Sequence, residues 1–271
     1  MEVIFPSTMV GDLKKMSGRE IAEVAEQADG GGSADGGFAT ILGGCWIATL
    51  DRGPYPAHVF EPEERKPNRK ERRAGAREPE KLTYTGPDWR RVLKGDLVAG
   101  MLHLTRVSIT DGDDYGFDVP CRSCGKSIPW ELKLSDLPVR VLPEKSIEKI
   151  RAGEPFEASV AGKKVLFDLQ TVASEEPVLA LMRREGRKVV TIVEILAAQV
   201  RSVEGVSNDL RARWNWLNDL SLGELQDLQH AVEDVDCGVE TNIEIRCSCN
   251  YVQEVDLPLG RRLFEPRRRR R

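Results

Sequence analysis

Two short cysteine turns constrain this chain more than anything else in it. The first is Cys121-Arg-Ser-Cys124, within YGFDVPCRSCGKSIPWELKL. The second is Cys247-Ser-Cys249, within TNIEIRCSCNYVQEVDLP, more than a hundred residues later. Apolar residues flank both at the same offsets. Phe117 and Val119 stand four and two residues before Cys121, as Ile243 and Ile245 stand before Cys247. Trp130 and Leu132 follow Cys124 by six and eight residues, as Val255 and Leu257 follow Cys249. Alternation with a period of two reads as strand. Each stretch is therefore strand, turn, strand, and the unit is written twice. The repeat predicts that the two stretches meet and that Cys121, Cys124, Cys247 and Cys249 hold one zinc ion.

Zinc takes four thiolate or imidazole ligands in a tetrahedron, and tight turns present them well. Gly125 suits the sharp turn after Cys124. Asn250 takes its place after Cys249, and asparagine also tolerates left-handed backbone. A four-thiolate site has no open position for water, so the ion would be structural. Two other readings use the same residues. One is a redox-active Cys-x-x-Cys, although a strand rather than a helix follows Cys124. The other is free thiols or a disulfide. Cys237 is a spare near the second turn, and Cys45 falls on an apolar helix face as a small core residue.

The whole chain has 271 residues, a formal charge of −4 and an ordinary apolar fraction. It reads as α+β: a zinc-ribbon-like pair of β-knuckles from two distant segments, an N-terminal helical region, and an inserted β-hairpin with a helical module. Residues 1–60 carry a strand from Glu2 to Phe5, a helix from the capping box Ser17-Gly-Arg-Glu20, and a second helix. That second helix bears the stripe Phe38, Ile41, Leu42, Cys45, Trp46. The glycine-rich stretch 29–37 lacks the Gly-Lys-Ser/Thr of a phosphate loop and reads as a loop. Residues 61–85 form a charged insertion: 61–80 hold seven basic and six acidic side chains and almost nothing to bury. Residues 86–140 open with a helix at Gly86-Pro87-Asp88-Trp89 and continue into the first knuckle.

Residues 141–238 form the inserted module. Its hairpin alternates through Phe156, Ala158 and Val160, turns at Ala161-Gly162, and returns through Val165, Phe167 and Leu169. Helices are expected from Ser174 to Arg184, from Val189 to Val203, from Asp209 to Leu220, and after the capping box Ser221-Leu-Gly-Glu224. Trp214 and Trp216 lie two apart on one helix and cannot share a face, so one is core and the other an interface candidate. Residues 239–266 hold the second knuckle. Residues 267–271 are an arginine tail, whose Arg267, Arg268 and Arg269 are further interface candidates.

No strong catalytic motif is present. Gly-x-Ser-x-Gly, His-Glu-x-x-His and a phosphate loop are all missing, and three histidines leave little for acid–base work. Glu194 and Glu204 read as solvent-facing helix positions. No run approaches eighteen apolar residues, so no membrane span is expected. The N-terminus lacks the pattern of a signal peptide, so disulfides are not the default and the clustered cysteines point to metal or redox chemistry.

The order of these features resembles the baseplate protein family of T-even-type contractile-tailed bacteriophages, with relatives in phage-tail-like injection systems. The residues that carry it are Cys45-Trp46-x-x-x-Leu50-Asp51-x-Gly53-Pro54-Tyr55, the segment Leu93-Lys94-Gly95-Asp96, the YGFDVPCRSC knuckle, and the Cys247-x-Cys249 knuckle closing on VDLPL and Phe264. It covers roughly 1–55 and 86–265. The Cys-x-Cys half departs from the Cys-x-x-Cys of the family, which bears on the metal rather than the fold. The resemblance implies a non-enzymatic structural or hub-assembly role. Its partners would be other baseplate, hub and tail proteins or further copies of itself. It would be made in the bacterial cytoplasm and placed in the virion baseplate or an assembled injection particle. The alternative is a zinc-ribbon nucleic-acid binder, drawn from the ribbon and the arginine tail. Its steep salt dependence would be diagnostic, but few aromatics accompany the basic residues and the net charge is acidic.

Overall fold

A computed structural model describes residues 1–18, 20, 34–60, 86–109, 113–187 and 189–258. The charged insertion 61–85, the helix face Ile21, Val24 and Ala25, most of the glycine-rich stretch, Phe264 and the arginine tail lie outside the described residues.

Strands β1 (Glu2–Ile4), β2 (Val10–Leu13) and β3 (Trp46–Asp51) form an antiparallel sheet in that order. Helix α1 (Ala34–Cys45) carries the predicted stripe only as far as Cys45. Trp46 was expected on that helix but opens β3, because Leu13 of β2 offers it a strand partner. Gly11 makes room for the indole: a Cβ there would fall 1.9 Å from the ring.

The next helix also starts later than its sequence suggests. Helix α2 spans Lys94–Ser108 and buries Leu97, Met101 and Leu104. The segment before it is held to a distant part of the chain instead. Leu93 bridges to Thr171, and the Ala173 N–H donates to the Arg90 carbonyl at 2.8 Å. Trp89 is buried all the same, edge-on to Trp46 with ring centroids 5.3 Å apart.

Two hairpins and a short strand pair frame the inserted module. Strands β4 (Asp114–Pro120) and β5 (Ser127–Lys133) form the first cysteine hairpin, followed by β6 (Val139–Arg140). Helix α3 (Glu144–Ala152) leads to the predicted hairpin β7 (Phe156–Val160) and β8 (Lys163–Phe167). Ala161 and Gly162 turn it with φ of 51° and 71°, the left-handed pair a tight hairpin turn requires.

Helices α4 (Val172–Arg184) and α5 (Ile192–Gln199) follow. The apolar run 189–203 was expected to be one helix, but its last four residues form β9 (Val200–Val203) on the edge of β8. Val203 pairs with Val165 and Ser202 with Leu166, and after a register shift Val200 pairs with Phe167, so the open edge of β8 captures this end of the run. Helices α6 (Leu210–Asp219) and α7 (Leu222–Glu233) complete the module. The capping box at Ser221 and Glu224 is made on both sides. The chain returns through β10 (Gly238–Val239), which pairs with β6, into the second cysteine hairpin, β11 (Asn242–Arg246) and β12 (Val252–Asp256). One continuous cluster of buried side chains runs from Val3 to Leu257. Among the described residues, no helix is long and apolar enough to cross a membrane.

Two acidic residues differ from the sequence reading. Glu194 is 2 % exposed, because it caps α5 from within. It accepts from the Thr191 N–H at 2.8 Å, the Trp214 Nε1–H at 3.2 Å and Arg187 Nη1 at 3.0 Å. Glu204 lies in the turn after β9, not on a helix, and accepts from the Lys164 N–H.

Candidate metal centre

The two cysteine hairpins share one register. In the first, Phe117 pairs with Trp130 and Val119 with Ile128. In the second, Ile243 pairs with Val255 and Ile245 with Gln253. These are the same offsets from the cysteines in both. The turns between them differ by one residue. The Cys121 N–H donates to the Lys126 carbonyl at 2.8 Å, and Gly125 N–H to the Cys121 carbonyl at 2.9 Å. The Cys247 N–H donates to Tyr251, and Asn250 N–H to Cys247, both at 2.9 Å. The residue after the second cysteine is left-handed in each turn: φ is 71° at Gly125 and 67° at Asn250. Asparagine therefore closes the shorter turn as glycine closes the longer one.

The turns bring the four sulfurs together. Cys121 Sγ lies 3.7 Å from Cys249 Sγ, and Cys124 Sγ lies 3.7 Å from Cys247 Sγ. All four ligand atoms lie within 4.8 Å of one another. A tetrahedron with zinc–sulfur bonds of about 2.3 Å has edges of about 3.8 Å. The donor set therefore fits a zinc-sized ion, with two edges already at length. Both short contacts cross between the hairpins, so an ion here would join segments that the chain separates by the whole module. Among the described residues this is the group of cysteine, histidine and acidic side chains set to hold an ion.

Each hairpin supplies one buried sulfur, Cys121 or Cys247, and one exposed sulfur, Cys124 or Cys249. The backbone N–H of Cys249 is the main influence drawing the Cys247 thiol down to about 6, and the other sulfurs help. At Cys124 the Lys126 N–H pulls downward, but burial and the other three sulfurs carry the thiol up to about 11. Metal binding requires thiolates, so an ion would displace protons from this group. With four protein ligands it would have no free position, and the arrangement suits holding rather than hydrolysis.

The other predicted residues lie elsewhere. Cys45 sits in the N-terminal core, where burial raises its thiol to about 11. Cys237 is buried beside Asp96 and Asp236, and burial above all raises its thiol. Trp214 is a core residue, with the Arg187 guanidinium 4.5 Å above its ring. Trp216 is partly buried against the same core. Sequence reasoning passed over Gln253, a buried polar side chain on the inner face of β12. Overlaying the two cysteine units would have revealed it, since Gln253 stands where the first unit has Ile128.

No family model matches the chain, and neither does any curated protein or solved structure compared with it.

Proposed function

We propose that this protein is a non-enzymatic scaffold whose two cysteine hairpins are fastened by a structural zinc ion, and that it serves in the baseplate hub of a contractile tail or related injection system. The observation that carries the metal half is the meeting of four sulfurs from two distant turns, with cross-hairpin contacts of 3.7 Å. In zinc-finger peptides such sites contribute roughly 10–16 kcal/mol of apparent binding energy. The ion would hold together the two ends of a long excursion whose closure is entropically costly.

The baseplate half rests on the sequence resemblance. Two of the residues that carry it, Tyr55 and Asp96, are buried and meet in the interior. Tyr55 bonds to Asp96, and a Cβ on Gly95 would come within 2.1 Å of the Cys237 carbonyl. The test is co-purification: tagged protein from producing cells should carry hub or other tail proteins through gel filtration. Recovery of the protein without any tail component would overturn this half. The nucleic-acid alternative has less support. The exposed strand faces of the two hairpins carry Asp118, Glu131, Glu244, Glu254 and Asp256, which would repel phosphate.

A further inference from the structure

Gln253 is 4 % exposed. In β12 it faces Ile245, as Ile128 faces Val119 in β5, so an apolar side chain fills the equivalent place in the other hairpin. Gln253 does something Ile128 cannot. Its Oε1 accepts from the Arg122 N–H at 2.8 Å, and its Nε2 donates to the Pro120 carbonyl at 3.2 Å. Both partners belong to the other hairpin. They are the two chain neighbours of Cys121, so one buried amide grips the backbone on either side of that ligand. The partners also fix the amide's orientation, because a backbone N–H needs oxygen and a carbonyl needs N–H. The hairpins resemble one another, yet this fastening is one-sided.

We infer that Gln253 is the positioning residue of the four-cysteine centre, holding Cys121 toward Cys247 and Cys249 before any ion arrives. The inference rests on reading the four cysteines as a metal site. A ligand set by a second group loses little order on binding metal, and groups that orient ligands typically matter about 10- to 100-fold in affinity. Removing the amide would also strand the Arg122 N–H and Pro120 carbonyl in a partly buried seam.

The test measures zinc affinity by competition with a chromophoric chelator, alongside hydrogen exchange of the Arg122 amide in metal-free protein. Gln253→Leu matches the apolar character of Ile128. It should weaken zinc binding by about 10- to 100-fold and speed exchange at Arg122. Gln253→Glu keeps the acceptor for Arg122 but loses the donor for Pro120, and should fall between. Ile245→Ala loosens packing opposite Gln253 without touching its amide. It should lower the melting temperature while leaving affinity near wild type. Wild-type affinity in Gln253→Leu, or an equal loss in Ile245→Ala, overturns the inference. Should Gln253→Leu fail to fold, unchanged affinity in Gln253→Glu overturns it instead. If the wild-type protein binds no zinc, the metal reading itself fails, and Arg122 exchange still reports on the hydrogen bond.

Discussion

The Tyr55 hydroxyl donates a 2.6 Å hydrogen bond to Oδ2 of Asp96, a carboxylate with no exposed surface. Ser7 donates to the same group through its backbone N–H at 2.9 Å and through its hydroxyl. Tyr55 in turn accepts from the Leu93 N–H at 3.1 Å. This one carboxylate thus ties the turn after β1, the segment after β3 and the start of α2. It is the polar centre of the N-terminal half.

Burial raises Asp96 to about 6, against the opposing pull of the Ser7 and Tyr55 hydrogen bonds and with help from nearby Asp236. The native state therefore binds this proton more tightly than the unfolded chain does. Stability from this group is greatest at low pH and declines as pH rises from about 4 through about 6. Asp236, also raised to about 6 by burial, acts in the same direction. Asp96→Asn should remove the Asp96 share of that slope. Urea melts at pH 4 and pH 7 should show the wild type losing about 2 kcal/mol more than the variant over that range. Parallel profiles would contradict the assignment.

Glu194 anchors the helical module from inside. Glu194→Ala would strand the Trp214 indole N–H and remove the Glu194 half of the α5 capping box. The expected cost is about 2–4 kcal/mol, read as a lower denaturant midpoint. Glu194→Gln keeps the shape and an acceptor and should cost less.

Asn250 decides whether the short Cys-x-Cys turn closes. With φ at 67°, Asn250→Gly should be neutral, while Asn250→Val should cost about 1–2 kcal/mol because a β-branched residue resists left-handed backbone. That strain should also weaken zinc binding, by about tenfold for each 1.4 kcal/mol. Chelator competition on both variants checks the order.

The four-cysteine cluster was legible because its signal is local and repeated. Cysteine spacing and the alternation of Phe117, Val119, Ile243 and Ile245 named both hairpins and their register. The turn at Ala161-Gly162 and the cap at Ser221 were legible for the same reason. Failures fell where a distant partner chose between two compatible local states. Trp46 and Val200 each continue a helical apolar pattern, and each becomes strand because β2 or β8 offers an open edge. The segment from Trp89 was expected to start a helix, but its Arg90, Leu93 and Lys94 are held by contacts across to residues 170–173. Glu194 reads as surface by charge, and only the folded position of Trp214 shows why it is buried. Gln253 was passed over because a polar residue in a strand reads as solvent-facing unless its opposite number in the repeat is consulted.

The most direct test is elemental analysis of purified protein together with its four cysteine-to-serine variants. The proposed clamp predicts one zinc per chain, loss of that zinc in Cys121→Ser, Cys124→Ser, Cys247→Ser and Cys249→Ser, and a lower melting temperature in each and after chelation. A wild-type protein free of zinc, with melting unchanged by chelator and by all four substitutions, would contradict the clamp.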